Sequence, residues 1–293
     1  MTAPHVKTLV VACALALAAS AACAQLRIGQ TVGVTGTVAA TVKESMQGAQ
    51  LYLDHVNAKG GAGGEKLEII TLDEERGVLA LFMSRGTPHT EAINGVLEQH
   101  RVALIGPSTG AMVLHQPVKP YIFNVRATYQ REAERAMAHL TSIGVRKLAV
   151  AHVDDRTKPD FAPLLPALQA AAPQAVLIIG SGTAVVEGIR SLKAARVGSQ
   201  YLTLSNNASG GFIKLLGDQA QGVIVSQVMP ASLNFGLVKE ATQLAKAQGV
   251  DDLSPAMLEG FASAKVLVEG LRRAGAKPSR ASLLQALDNL GRL

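Results

Sequence analysis

From Leu26 onward the chain alternates short apolar runs of β-type residues with longer stretches of helical periodicity, and this alternation restricts the fold more than any other feature. "LRIGQTV", "KLEIITLDE", "VLALFMS", "VALIGPS" and "YIFNVRA" read as strands. Between the first two, "KESMQGAQLYLDHVNAKGG" carries Met46, Ala49, Leu51, Leu53 and Val56 at helical spacing and stops on glycines. "HTEAINGVLEQH" is a second helix. Strands that are nearly continuously apolar are buried on both faces, so the pattern implies an α/β protein with mainly parallel sheets flanked by helices.

The same grammar restarts after Ala127. "REAERAMAHLTSIGV" reads as helix, "KLAVAHVDD" as strand, "DFAPLLPALQAA" as helix, "AVLIIGSG" as strand and "AVVEGIRSLKAARVG" as helix. "QYLTLSNNA", "GGFIKLLGD" and "GVIVSQVMP" continue it, and helical stretches at about 235 to 248, 255 to 274 and 279 to 290 close the chain. Two successive α/β sets imply two lobes: residues 25–127 as lobe 1, 128–229 as lobe 2, and 230–293 returning to lobe 1. One place breaks the grammar. Only Glu74, Glu75, Arg76 and Gly77 separate "EIITLD" from "VLALFMS", whereas neighbouring parallel strands need a crossover of a dozen or more residues. Either these runs are not neighbours, or a helix is missing between them.

The N-terminus sets the compartment. Lys7 precedes the apolar run "LVVACALALAASA", and Ala22-Cys23-Ala24 fits the small-x-small cleavage pattern, so residues 1–24 read as a signal peptide of an exported protein. The run falls short of the roughly 20 residues a bilayer core requires. Cys23 offers lipid anchoring as the alternative, although Ser20 stands where that signal wants leucine. Both cysteines, Cys13 and Cys23, lie in this leader, so thiol chemistry and cysteine metal ligation are excluded from the remainder. The net charge is +6, but the basic residues are dispersed and aromatics make up only 3%, with no tryptophan. Nucleic acid, which requires a basic stripe with stacking aromatics, is therefore not an expected partner.

Chemistry-bearing motifs are few. "GPSTG" at 106–110 places Ser108 after a buried strand, with His115 or His89 as a conceivable base, but the G-x-S-x-G elbow of hydrolases is not matched. The histidines lack zinc-ligand spacing. "AKGGAGGEK" lacks the lysine-serine ending of a phosphate loop and follows a helix, so it reads as a helix stop. No cofactor, metal or catalytic activity is expected.

Several stretches together carry a resemblance: "LRIGQTVGVTGTVAATVKESMQGAQLYLDHVNAKGGAGGEKLEIITLDE", "LIGPSTGAM", "YIFNVRAT", "KPDFAPLLPAL" and "GGFIKLLGDQAQGVIVSQVMP". In these motifs the chain resembles the solute-binding proteins of the type I periplasmic fold, in the leucine/isoleucine/valine-binding group that serves ABC importers. The resemblance implies two lobes closing over a small molecule in a cleft between them, a periplasmic location, a permease of the inner membrane as partner, and a monomer.

It places Thr87, Ser108 and Gly110, with Thr109 beside them, on the loops that grip the ligand's polar head, where a helix start would favour a carboxylate. Second-lobe contacts would come from Ser181, Thr183, Ser205 and Asn206. Arg85, in "FMSRGT", is the strong charge expected near the cleft, for a ligand carboxylate or, as a rim residue, for Glu91. Arg126 matches a hinge position and is assigned a pairing role across the lobes. Ser205 stands where amino-acid binders of the group carry an acid for the ligand's ammonium, so amides and other carboxylates compete with branched-chain amino acids as ligand. The resemblance also implies a member shortened in three places: after "LDE", after "AHVDD" and at "LDNLGRL". A sensory module, an impaired remnant with uncovered sheet faces and, last, an exported hydrolase are the rival readings.

Overall fold

A computed structural model describes residues 25–31, 38–71, 77–153, 160–198, 200–230 and 232–291. Residues 1–24, which the sequence reads as a signal peptide, and the "DD" at 154 and 155 lie outside the described residues. Nine strands form two all-parallel sheets among the described residues. The first contains β1 (Gln25–Gln30), β2 (Lys66–Thr71), β3 (Ala80–Phe82), β4 (Ala103–Ile105) and β5 (Ile122–Phe123), in the order β2-β1-β3-β4-β5. The second contains β6 (Leu148–His152), β7 (Ala175–Ile179), β8 (Gln200–Thr203) and β9 (Val223–Val225), in sequence order.

The helices are α1 (Ala39–Ala58), α2 (Thr87–His100), α3 (Tyr129–Ser142), α4 (Leu165–Ala171), α5 (Gly182–Ala194), α6 (Gly210–Leu216), α7 (Gly236–Ala247), α8 (Pro255–Ala274) and α9 (Arg280–Asp288). α1, α7, α8 and α9 bury one face of the first sheet, around Ile28, Phe82 and Ile105, while α2 covers the other through Leu97 against Val78, Leu81 and Leu104. In the second sheet α5 packs over Val176 and Ile178, and α3 over Leu177 and Leu202. Each face thus receives the helices that near-continuous apolar strands require.

The sheet order answers the question of the four-residue gap. β2 and β3 are not neighbours: both pair with β1, on its opposite edges, so Ile28 stands level with Ile69 on one side and with Ala80 on the other. No helix lies between them among the described residues, and the run "VLALFMS" yields a strand of three residues. The expected exposure of that sheet is not found at Val78 and Leu81, which are 4% and 7% exposed beneath α2. The Arg280 guanidinium covers the start of β3 and the end of α2, donating through Nε and Nη2 to the Val78 carbonyl and through Nη1 to that of His100. Exposed apolar groups appear instead beside the second shortened place, with Val150 on the outer strand β6 and Leu164 before α4.

α1 and α8 cross in direct backbone contact, and two glycines permit it. A Cβ on Gly48 would stand 1.9 Å from the Met257 carbonyl oxygen, and one on Gly260 1.7 Å from that of Ser45. Neither gap accepts a methyl group, and rigid helix backbone cannot give way as a flexible side chain could. Gly260→Ala is therefore expected to destabilise the protein by about 3 kcal/mol, a typical overpacking cost at the upper end of its range, measured as a lowered urea midpoint at unchanged slope. A variant within about 0.5 kcal/mol of the parent would show that the helices separate freely.

Candidate functional site

The C-terminal ends of both sheets meet at a polar seam, and Arg126 sits in its middle. It follows β5, immediately before the chain crosses to α3, and is 5% exposed. Its Nη2 donates to Glu132 Oε1 of α3 at 2.8 Å and to the Ser205 hydroxyl, and its Nη1 to Glu259 Oε1 of α8 at 3.4 Å. The guanidinium carbon also lies 5.1 Å from the centre of the Tyr129 ring. Burial opposes the charge on Arg126, but Glu259, Tyr129 and Glu132 outweigh it and raise its pKa above the usual arginine value. One fork thus joins a helix of the first sheet to a helix and a turn of the second.

Glu132 is fully used. Oε1 accepts from Arg126 and the Ser205 hydroxyl, and Oε2 from the Ser205 amide at 2.9 Å and the Ser226 hydroxyl at 2.5 Å. Ser205, expected to face a ligand, spends its amide and hydroxyl on this carboxylate. The two asparagines of "LSNN" are tied to their own half. Asn206 Nδ2 donates to the Gly180 carbonyl, and Asn207 Oδ1 accepts from the Gly182 amide at the start of α5. Ser181 is half-buried before α5, and Thr183 in its first turn is exposed.

On the other side Arg85 is 9% exposed. Its Nη1 donates to Ser108 Oγ at 3.2 Å and its Nη2 to the Asn206 backbone carbonyl at 3.1 Å, which spans the seam. These partners replace the rim position beside Glu91 allowed by the sequence. Burial lowers the Arg85 pKa, with Tyr129 and Glu259 opposing that effect. Ser108 Oγ donates in turn to Glu259 Oε1 at 3.2 Å, so its proton is directed to a carboxylate and not to an imidazole. Thr87 and Thr109 share a hydroxyl contact of 2.8 Å. Gly110 lies against the chain that starts α3, accepting from the Tyr129 amide at 2.7 Å.

One expectation fails here. "GPSTG" does not open an α-helix: after it comes a single 3-10 turn, Met112–Leu114. Pro117 and Pro120 follow closely, and proline cannot continue a helix interior. "GPSTG" therefore opens no helix of its own. The helix starts at this site are those of α2, where Thr87 meets Thr109 and Pro88 stands in the first turn, and of α3, whose Tyr129 amide donates to Gly110.

The sequence reading missed four contributors. Glu132 and Glu259 gave no motif signal, being acids within ordinary amphipathic helices. Ser45 and Glu44 project from α1. Glu44 accepts from the Gly210 amide at 3.0 Å through Oε2 and from the Gly211 amide at 2.8 Å through Oε1, at the start of α6, while Thr41 bonds Ser209. A small cavity beneath these contacts is lined by Val42, Ser45, Met46, Met83, Arg85 and Ser108. No group of three or more potential metal ligands occurs among the described residues.

Two parallel sheets with helices on both faces, bridged by a buried polar seam at their C-terminal ends, define a two-lobed type I periplasmic-binding-protein fold. Comparison with known proteins supports this. A family model described as periplasmic binding protein matches residues 151–293. A substrate-binding periplasmic protein from Ralstonia solanacearum is 28% identical, with 90% of this chain and 89% of that one covered and a TM-score of 0.79. An extracellular ligand-binding receptor from Verminephrobacter eiseniae is 27% identical, with 92% and 91% covered and the same TM-score.

Within that class the chain is similar to the leucine/isoleucine/valine-binding group, as its motifs implied. Leu/Ile/Val-binding protein homolog 3 of Brucella melitensis is 25% identical over 321 residues, 92% of this chain and 85% of the relative. That span exceeds the chain's own 293 residues, so the relative carries segments that this chain lacks. The group is a solute-binding type of protein.

The Glu44 contact yields a test. A carboxylate taking two amides at a helix start is comparable to a helix cap, and Glu44→Ala is expected to cost about 1 to 2 kcal/mol in urea unfolding. An unchanged stability would show that water replaces the carboxylate without loss.

Proposed function

We propose that this protein is the periplasmic substrate-binding component of an ABC importer, capturing a small polar or carboxylated solute between its lobes and presenting the closed form to an inner-membrane permease. Residues 25–127 with 230–293 form one lobe in this reading, and residues 128–229 form the other. The observation that carries it is Arg85: a buried guanidinium from the first sheet that bonds a backbone carbonyl of the second across the seam. The similarity to periplasmic and substrate-binding proteins supports the class.

Within the cleft we assign ligand contact to Arg85, Thr87, Ser108 and Thr109 from the first lobe. Ser181, Thr183 and the Asn206 carbonyl act from the second. Gly110 and Ser205 hold the walls through the bonds described above. The protein works as a monomer and breaks no bond. Its affinity comes from hydrogen bonds desolvated as the lobes close, and a ligand that prefers the closed form shifts the population toward it.

A thermal-unfolding screen of amino acids, amides and small organic acids tests this reading directly. A true ligand at a hundredfold excess over its Kd stabilises by about 2.7 kcal/mol, and small-angle scattering should show a smaller radius of gyration with the same compound. A ligand that raises the midpoint without compaction would contradict lobe closure.

A further inference from the structure

The end of the first sheet opposite the seam collects cations. Lys59, Lys66, Arg101 and Lys119 stand at strand starts or in the turns that lead to them, and Arg272 and Lys277 flank the end of α8. The backbone of Gly275 and Ala276 lies against Gly63, which brings the turn after α8 to the turn before β2. Lys66 and Lys119 lead the outer strands β2 and β5, so the surface spans about 20 Å across the interstrand spacings of the sheet. All of these side chains are exposed except Lys119, which is half-buried. Among the described residues none of them forms an ion pair. Of the acids at this end, Glu269 pairs with Arg273 and Glu98 accepts from Asn94, which leaves Glu65 and Asp288 to oppose the cations.

Helix ends account for only part of this charge. A cation at a helix C-terminus is stabilised by the dipole, and Lys59 after α1, Arg101 after α2 and Arg272 in the last turn of α8 stand at such places. Lys66 begins a strand and Lys119 leads into one, its carbonyl accepting from the Ile122 amide. Lys277 precedes the start of α9, where the positive end of the dipole disfavours a cation. The corresponding end of the second sheet is different, because its cations are spent on backbone carbonyls: Arg146 on Thr141, Lys147 on Ala171 and Lys193 on Gln219 and Gln221.

Two further features lie at the first sheet's basic end. Beside Lys119 the chain exposes an apolar tip of Pro117, Val118 and Pro120, with Val118 81% exposed. Gln25, level with Lys66, is the first residue of β1, so the apolar run within residues 1–24 joins the fold at this end and faces it toward any bilayer that holds the run. Cations around an exposed apolar tip are the combination that binds an anionic membrane interface, through charge attraction and shallow apolar insertion. We propose that this pole of the first lobe docks on the headgroups of an anionic phospholipid bilayer, with Lys66, Lys119 and Lys277 against the phosphates and Val118 at the acyl boundary. Such docking keeps the protein at the membrane surface and is independent of ligand capture at the seam.

The experiment is cosedimentation of the purified protein with vesicles of phosphatidylglycerol and phosphatidylcholine in equal parts, and with vesicles of phosphatidylcholine alone. Binding is expected to the anionic vesicles only, and to be lost as salt shortens the Debye length from about 10 Å at 0.1 M to about 3 Å at 1 M. Lys66→Gln, Lys119→Gln and Lys277→Gln combined should lower the partition coefficient about a hundredfold, at about fivefold for each cation near an anionic surface. Those three side chains make no ion pair or hydrogen bond among the described residues, so the combined variant should keep the parent's unfolding midpoint. Val118→Ser should weaken binding further. Removing the same charge from the second lobe, through Arg146→Gln, Arg196→Gln and Lys214→Gln, should change binding little. Equal losses from the two triple variants would show that net charge and not this pole attracts the vesicles, and would overturn the proposal. Equal binding to phosphatidylcholine alone, or binding to neither vesicle, overturns it as well.

Discussion

The guanidinium of Arg126 is the interaction on which the rest of the arrangement depends. It holds Glu259 from a helix of the first sheet and Glu132 and Ser205 from the second, at the point where the chain itself crosses between them. Buried charges are tolerated only when paired and hydrogen-bonded. Here one planar fork satisfies two carboxylates, and those carboxylates in turn organise three hydroxyls, Ser108, Ser205 and Ser226, and one backbone amide. Removing any member leaves charge stranded in a dry seam, so the network fixes one relative arrangement of the two halves. Arg85 lies beside this network and is coupled to it through Ser108.

α1 carries the second set of constraints. Its glycine contact with α8 locks it onto the first sheet, and its first two turns reach the other half through Thr41 and Glu44. A single helix therefore forms part of the core, the cavity wall and the bridge. The close approach at Gly48 and Gly260 serves function through position: it sets the height at which Ser45 lines the cavity and Glu44 meets α6.

Much of this was legible in the sequence because parallel α/β architecture writes itself in local patterns. Apolar strand runs gave both sheets, and helix spacing in "GAQLYLDHV" gave α1. Arg126 was recognised as a residue pairing across the halves. What stayed hidden depends on distant encounters. The strand order that puts β2 and β3 on opposite edges of β1 resolves a four-residue gap that no local rule could interpret. Arg85 found Ser108 and Asn206 instead of Glu91 because it points inward from the end of β3, and Glu132 and Glu259 have neighbours at their own helical spacing that say nothing of Arg126. The supposed helix after "GPSTG" failed for a local reason, since Pro117 and Pro120 leave room for one 3-10 turn only.

The central claim, that Arg126 holds the two halves together from inside the seam, is tested most directly by residue-resolved amide hydrogen exchange on Arg126→Lys. Lysine keeps the charge but cannot bond Glu132, Glu259 and Ser205 together. The account predicts faster exchange at the Ser205 amide, whose acceptor Glu132 is held by Arg126, and at the Gly210 and Gly211 amides, whose acceptor Glu44 lies across the seam that Arg126 organises. Exchange within β1, β4 and β7 should be unchanged. Unaltered protection at all three seam amides would contradict it.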